Sequence, residues 1–160
     1  MFQEIRRRDR ALTEAEAREI LARAEHGVLA TLGEDGWPYA VPLNHVLVGD
    51  HLYMHCALKG HKLENIAHEE RVSYCAVANA TVVPSIFSTL YDSAIVFGRA
   101  SLVEDAEEKR SALKLLAERF CENCGERFED HMRQHGLSTA IIRIAIERIT
   151  GKAHRPASAA

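Results

Sequence analysis

Several signatures of other protein classes are missing from this sequence of 160 residues. No apolar run approaches the roughly 20 residues that a membrane-spanning helix requires. No block of like charge is long enough to indicate a nucleic-acid partner, and the net charge is only −3. The basic N-terminus is not followed by the apolar segment of a signal peptide. We therefore expect a cytoplasmic protein with neither a membrane nor a nucleic-acid partner.

Familiar nucleotide-binding and catalytic patterns are absent as well. The sequence has no Gly-x-Gly-x-x-Gly and no Walker-type loop, which argues against a Rossmann or P-loop site. No spacing supports a Ser/His/Asp or Cys/His nucleophilic triad, and there is no internal repeat. The four cysteines are expected to be reduced thiols in a cytoplasmic setting. The length suits a single domain, residues 1–160, with a substantial core.

What the sequence does contain is a series of short apolar runs that predict strands. This pattern, with hairpin-length turns between the first strands, predicts a mainly β fold with flanking helices, in which six antiparallel strands close into a barrel. Thr13 and Glu16 form a capping box at the start of the first helix. The predicted strands cover residues 28–32, 37–48, 51–57, 71–77, 91–103 and 139–149. Residues 78–90 are predicted to be a loop or a broken edge segment, 121–136 a polar irregular insertion and 154–160 a flexible tail.

Two prolines interrupt the second predicted strand. Pro38 and Pro42 have no backbone N–H, so they are expected at a sheet edge, a strand end or a bulge. Backbone groups of residues 41–44 would then be unpaired, and they could bind the heteroatoms of a flat ligand. A kinked edge strand without a ligand explains the pattern equally well.

The third predicted strand ends in a corner of small and basic residues. The corner comprises His55, Cys56, Ala57, Lys59, Gly60, His61 and Lys62. A short helix is predicted to follow, and a helix start with unpaired N–H groups and nearby lysines is suited to an anion. The corner therefore predicts a phosphate site for a nucleotide-type cofactor. The alternative is a solvated basic loop between a strand and a helix.

The segment 121–136 leaves several functions open. Cys121 and Cys124, followed by His131 and His135, could hold zinc, form a redox pair or belong to a polar surface segment. The gap between the second cysteine and the first histidine is shorter than in a zinc finger. A metal-dependent module built on these four residues is therefore one of three hypotheses for this segment.

Two other polar positions are expected to have specific partners. His61 and His55 flank the corner, so they are the candidates for proton transfer to a ligand bound there. Arg99 shares a strand face with large apolar residues and needs a carboxylate, a second subunit or a ligand as its partner.

Five ordered blocks of the sequence carry a resemblance to a known family. They are GWPYAVPLN at 36–44, LYMHCA at 52–57, GHK at 60–62, SAIVFGRA at 93–100 and IERITGK at 146–152. Together they resemble the pyridoxamine-phosphate-oxidase-like, flavin-binding split barrels. Within that superfamily the chain is most similar to the nitroimidazole-resistance (Nim) branch, which the opening Met1-Phe2 with Ile5-Arg6-Arg7 also fits. The segment 121–136 departs from the pattern.

The resemblance implies a six-stranded split barrel that forms a homodimer with FMN in two interface clefts. Pro42, Leu43 and Asn44 would lie along the flavin ring. The corner would hold the phosphate with Lys62 as its main cation, while Cys56 stands where the family often has Ser or Thr. Tyr91 and Ser93 are the predicted contributions of the partner subunit.

The resemblance also implies an activity, namely an FMN-dependent oxidoreductase that reduces a small electron-poor acceptor of the nitroimidazole type. The rival is a split barrel that carries flavin or haem without turnover. In the haem version His45, His55 or His61 would be the axial ligand.

Overall fold

A computed structural model describes residues 2–121 and 125–155 of the chain. In this part of the chain there are eight strands and four α-helices, with short 3-10 turns at Arg8–Arg10, Pro84–Ile86 and Gly136–Ser138. The strands are β1 Ala11–Leu12, β2 His26–Leu32, β3 Pro38–Asn44, β4 Val46–Val48, β5 His51–Ala57, β6 Arg71–Val83, β7 Ser88–Leu102 and β8 Thr139–His154. The helices are α1 Glu14–Arg23, α2 His61–His68, α3 Ala106–Phe120 and α4 Gly125–His135.

The strands form one antiparallel sheet in the order β3-β2-β6-β7-β8-β5-β4, with β1 paired to the end of β8. The sheet curls, because inward side chains from β3 at one end and β5 near the other contribute to the same hydrophobic cluster. This confirms the mainly β, split-barrel architecture with flanking helices. The main sheet has seven strands where six were predicted, since the predicted strand 37–48 is divided at His45 into β3 and β4.

Helix α1 closes one opening of the curled sheet. Thr13 and Glu16 form the predicted capping box, in which the side chain of each residue hydrogen-bonds the backbone N–H of the other. The inward face of the helix places Ala17, Ile20 and Leu21, all with 0% exposure, in the main hydrophobic cluster. The helix therefore supplies apolar cover for the inner face of the sheet, which an open sheet of this curvature would otherwise expose.

Two segments that were predicted to be irregular are ordered elements, and both predictions are wrong. Residues 78–90 continue β6 and begin β7, so they form a long hairpin. Pro84 does not break this hairpin because it lies in the 3-10 turn at the tip. In the other segment, α4 runs from Gly125 to His135, and its Phe128 is buried (8% exposed). A single buried aromatic side chain on a polar helix is a weak periodic signal.

The strands β7 and β8 satisfy the expectation for Arg99 and explain the presence of Gly98. Arg99 finds carboxylate partners in Glu70 and Glu147, the latter at 2.6 Å. Gly98 lies at a register shift between the two strands, where a Cβ atom would come within 2.2 Å of the carbonyl oxygen of Ala145. Glycine is therefore required by the close approach of two backbones.

The C-terminal part is more ordered than was predicted. β8 extends to His154, whose Nδ1 lies 2.8 Å from the carbonyl oxygen of Thr89, so residue 154 does not belong to a tail. Residues 156–160 lie outside the described part of the chain. Among the residues that the structure describes, no helix is long and apolar enough to cross a membrane.

Candidate functional site

The basic corner lies where β5 leads into α2. Gly60 precedes the helix with φ = +140°, a conformation that residues with a side chain rarely adopt. Its carbonyl oxygen accepts hydrogen bonds from the N–H groups of Leu63 (2.8 Å) and Glu64 (3.3 Å). The N–H groups of His61 and Lys62 have no acceptor among the described residues. The helix start therefore presents two unsatisfied donors.

The two lysines of the corner carry charge that the rest of the chain does not neutralise. Lys59 is exposed and Lys62 is half-buried. Neither forms an ion pair with any residue in the described part of the chain, although most of the arginines there do. Glu64 lies in the first turn of α2, but it is exposed and does not contact the lysines. The corner can therefore accept an anion through charge and through backbone donors together.

The alternation along β5 separates the residues that were predicted to line the corner. Cys56 faces inward, with 9% exposure, and belongs to the main hydrophobic cluster. Burial raises the pKa of its thiol, while the nearby charge of Lys62 opposes the rise. His55 and Ala57 face outward. A contact between Cys56 and a ligand at the corner would have to come from its backbone.

Strand β3 is the last strand at one end of the sheet, which confirms that the prolines mark an edge. Pro42 and Asn44 face outward, whereas Leu43 packs against the core. The carbonyl oxygen of Leu43 accepts a hydrogen bond from the Tyr74 hydroxyl at 2.7 Å. Asn44 donates from Nδ2 to the carbonyl oxygen of Glu25 at 2.8 Å. Both interactions hold the edge strand in place from within the same chain.

His45 is part of the core and cannot be an axial haem ligand, so that suggestion is wrong. It has 0% exposure, and its Nε2 lies 2.9 Å from the carbonyl oxygen of Leu21. Its Nδ1 lies 2.8 Å from the hydroxyl of Tyr74. Burial lowers the pKa of His45 to about 4, so the ring is neutral near pH 7. Because a carbonyl can only accept, Nε2 carries the proton, and the single hydroxyl proton of Tyr74 is shared between two acceptors, Nδ1 of His45 and the carbonyl oxygen of Leu43.

The two candidate catalytic histidines line different cavities. The ring of His61 stacks at a tilt against Tyr39, with 4.4 Å between centroids, and lines a cavity of about 450 Å³ together with Glu34, Asp35 and Glu64. His55 lines another cavity, of about 210 Å³. The structure of one chain therefore does not bring the two rings together at a single ligand.

The second cavity, at His55, has walls that were not foreseen from the sequence. It lies between the outward faces of Asn44 and His55 and the helices α3 and α4. Six of its lining residues are apolar side chains from the two helices, namely Leu113, Leu116, Ala117, Phe120, Phe128 and Met132, and Cys121 at the end of α3 also lines it. Two features of the sequence could have indicated these walls: the apolar stripe of α3, and the i, i+4 spacing of Phe128 and Met132 in the segment that was predicted to be irregular.

Tyr91 and Ser93 lie on the outward face of β7, away from the corner of the same chain. Tyr91 pairs with His154 at one end of β8, whereas Ala57 pairs with Thr139 at the other end. These pairing sites are about 50 Å apart along the strand. Burial opposes the ionisation of Tyr91, but hydrogen bonds from Lys152 and Arg10 lower its pKa. Within one chain, Tyr91 and the corner therefore lie at opposite ends of β8.

A metal site finds little support in the described part of the chain. Among residues 2–121 and 125–155 no three His, Cys, Asp or Glu side chains are arranged to hold a metal ion. His131 and His135 are neighbours on α4, with 4.8 Å between ring centroids. Cys124, which the zinc and redox hypotheses require, lies outside the described residues, so those hypotheses stay untested.

Comparisons with known proteins agree with this fold. The sequence profile of the family described as pyridoxamine 5'-phosphate oxidase matches residues 13–153. No curated protein sequence matches the chain.

Solved structures with the same fold come from several bacteria. A proposed 5-nitroimidazole antibiotic resistance protein from Bacteroides thetaiotaomicron is similar with a TM-score of 0.75 and 22% identity, over 89% of this chain and 85% of that one. An FAD-binding protein from Mesorhizobium loti is similar with a TM-score of 0.69 and 22% identity, over 91% and 98%. An FAD and haem binding protein from Mycobacterium smegmatis is similar with a TM-score of 0.76 and 22% identity, over 89% and 72%.

Proposed function

Because the chain belongs to the pyridoxamine 5'-phosphate oxidase family, we propose that it binds flavin mononucleotide and acts as an oxidoreductase on a small electron-poor acceptor. The observation that carries the proposal is the corner, where unpaired lysines and unsatisfied helix N–H groups adjoin the edge of a split barrel. Two of the similar structures are named as FAD-binding, which favours a flavin cofactor, and a third is named as a nitroimidazole resistance protein, which favours an acceptor of that type.

The phosphate would bind at the start of α2. Lys62 supplies the main charge, Lys59 a second one, and the N–H groups of His61 and Lys62 donate hydrogen bonds. A phosphate held in this way gains both from the helix dipole and from the cations. Glycine at position 60 is needed for its φ of +140° rather than for space, since a Cβ atom there would have nothing within 4 Å.

The flavin ring would lie along the outward side of β3 and β5. Pro42 and Asn44 face outward there, and His55 faces outward on β5 without a hydrogen-bond partner among the described residues. The backbone of an edge strand offers unpaired donors and acceptors to the polar edge of a flat ring. The flavin supplies the electron transfer when it is bound, and His55 and His61 are the proposed groups for holding or moving a proton.

We also propose that the chain forms a homodimer through the outer face of the sheet. Pro42, Val28, Cys75 and Ile95 are paired in one row across β3, β2, β6 and β7. Val28 and Ile95 are 39% and 38% exposed, which is unusual for apolar residues in the middle of a sheet. Ser93 is two residues from Ile95 on the same face. A copy packed there would bring its own Ser93 and Tyr91 toward the proposed ring site.

The flavin proposal is tested by titrating the purified protein with FMN and, separately, with riboflavin, which lacks the phosphate. FMN should bind much more tightly, with the yellow absorbance of a bound flavin. Lys62→Ala should weaken FMN about 100-fold and leave riboflavin nearly unchanged, because only the phosphate contact is removed. Lys114→Ala on α3 is the matched control. Equal affinity of the wild-type protein for both ligands would contradict the phosphate site.

The dimer is tested by sedimentation velocity on a variant of its proposed interface. Val28→Glu combined with Ile95→Glu should convert a dimer to a monomer, since two charges would be buried on each side. Leu115→Glu, which changes a residue of the same exposure (39%) on α3, is the control. The monomeric variant should also bind FMN less tightly, because the contacts of the second copy are lost. A monomeric wild-type protein would refute this part of the proposal.

A second candidate function is a carrier that binds haem or flavin without turnover. It is favoured by His55 and His61, whose rings are exposed and could reach a haem iron. Addition of haemin should then produce a Soret band that His55→Ala or His61→Ala removes. Without such a band, and with flavin bound and reoxidised by a nitroimidazole, the oxidoreductase proposal stands over the carrier.

A further inference from the structure

We infer that the cavity between β5 and the helices α3 and α4 binds an uncharged single-ring aromatic compound, and that α4 gives the site its selectivity. This cavity is distinct from the phosphate corner. The inference rests on the proposed function only where it takes the bound compound to be the electron acceptor. The binding itself can be measured without flavin.

The base of the cavity is apolar and built by both helices. Leu116 of α3 is 5% exposed and Phe128 of α4 is 8% exposed. Met132 lies one helical turn after Phe128, so both side chains point toward α3. The stripe of α3 that faces them includes Leu113 and Phe120. The segment that departs from the family pattern therefore completes a cavity that α3 alone would leave open.

The size of the cavity limits what it can hold. Its volume is about 210 Å³, whereas an apolar cavity of about 150 Å³ is known to take up benzene. A single ring with one or two substituents fits within this volume, whereas a flavin would have to extend out of the mouth into solvent. The cavity is thus suited to a small acceptor rather than to the cofactor.

The lining of the cavity also limits the charge of its ligand. No Asp, Glu, Lys or Arg is among its described lining residues, so an ion placed there would lose hydration without gaining a partner. Its polar side chains are Asn44, His55 and His131, each exposed in part to solvent. They lie at the mouth, where they can hydrogen-bond a nitro group, a carbonyl or a ring nitrogen. The ring itself would contact the apolar base.

The position of the cavity places it next to the proposed flavin. Tyr53, His55 and Ala57 alternate on the outward face of β5, at steps of about 7 Å. Tyr53 anchors α3 through a 2.8 Å hydrogen bond from its hydroxyl to Glu108, which Arg143 also contacts at 3.1 Å. His55 borders the cavity, and Ala57 begins the corner. A compound in the cavity would therefore be separated from the ligand at the corner by one step between alternate residues of β5, about 7 Å.

The experiment measures the binding of 4-fluoronitrobenzene to the purified full-length protein by ¹⁹F NMR, with and without saturating FMN. Wild-type protein should bind this probe in both states. Met132→Trp fills the cavity and should weaken the probe at least about tenfold. Leu137→Trp introduces the same side chain at a position that is 93% exposed and outside the cavity, and it should bind like the wild type. Equal binding by Met132→Trp, or no binding by the wild type, would overturn the inference.

Three further measurements separate this inference from the flavin proposal. The FMN affinity of Met132→Trp should stay within about twofold of that of the wild type. A parallel loss of FMN binding would show that the cavity is part of the flavin-binding site and would overturn the inference. Lys62→Ala should abolish FMN binding and leave probe binding unchanged. Loss of probe binding as well would contradict the existence of two distinct sites. The anion 4-nitrobenzenesulfonate should bind at least about tenfold more weakly than the neutral probe. Ala117→Leu is a second cavity-filling variant in case Met132→Trp does not fold.

Discussion

The buried His45 and the basic corner are two polar regions that differ in whether the chain itself supplies partners for their polar groups. His45 joins β3 to β4 inside the barrel, and both of its ring nitrogens are hydrogen-bonded. Lys59 and Lys62 follow the end of β5, and the described part of the chain offers them no carboxylate. In the described part of the chain, the fold thus supplies hydrogen-bond partners to His45 and no carboxylate to the lysines of the corner.

The difference between these regions follows from what water can do at each of them. A buried polar group without a partner costs about 1–3 kcal/mol, so a stable chain must supply the partner itself. An exposed lysine remains hydrated and needs no partner, and a ligand can later replace its water. The unpaired groups at the surface, rather than the elaborate contacts in the core, are therefore the better indication of a binding site.

The largest effect should come from removing the buried imidazole. His45→Ala leaves Tyr74 and the carbonyl of Leu21 short of a partner and opens a cavity, so the free energy of unfolding should fall by about 3 kcal/mol. Urea denaturation at pH 7 measures this change. Lys62→Ala should alter the same quantity by less than about 0.5 kcal/mol. Similar losses in the two variants would refute the division between a structural and a ligand-binding region.

A somewhat smaller loss of the free energy of unfolding is expected from protonation of the His45 ring. The pKa of His45 is lowered from 6.5 to about 4 in the folded chain, so the unfolded chain takes up the proton first as the pH falls. Stability from this group is present above pH 6.5 and is lost between about pH 6.5 and 4. The loss from pH 7 to 4.5 should be about 2 kcal/mol. Urea midpoints of His45→Gln over this range should show a correspondingly weaker pH dependence.

The smallest predicted effect on the free energy of unfolding is that of alanine at either of two glycines with positive φ. Gly60 (φ +140°) lies at the corner, and Gly49 (φ +56°) lies in the turn between β4 and β5. Alanine at either position should lower the free energy of unfolding by about 1 kcal/mol because of backbone strain. Only Gly60→Ala should also weaken FMN binding. An equal FMN affinity for both variants would show that the corner conformation is not needed by the ligand.

Some features of the fold could be predicted because they depend on neighbours in sequence. The capping box of Thr13 and Glu16 and the edge position of Pro38 and Pro42 each arise from a few adjacent residues. The hairpin at 78–90 was missed because Pro84 and the nearby Ser and Thr residues favoured a loop or a broken edge segment, although proline is also common in turns. The helix α4 was missed because its apolar positions are few.

The candidate site was predictable only in part. The corner could be located from a strand, a glycine and two lysines, all within eight residues. The assignment of Cys56 to the inner face, and of His55 and His61 to separate cavities, depends on how β5 and α2 pack. The suggestion of His45 as a haem ligand failed for the same reason, since nothing in the local sequence places that ring against Leu21 and Tyr74.

The amino-acid sequence by itself determined the mainly β class, the edge strand and the basic corner, because these follow from residue types and spacings along a short stretch of chain. Only the tertiary structure decided which polar groups are satisfied and which remain open to a ligand. It also brought Met132 and Phe128 beside His55, across more than 70 residues of sequence. Such contacts depend on the packing of distant elements, and packing is a property of the whole curled sheet with its helices rather than of any segment.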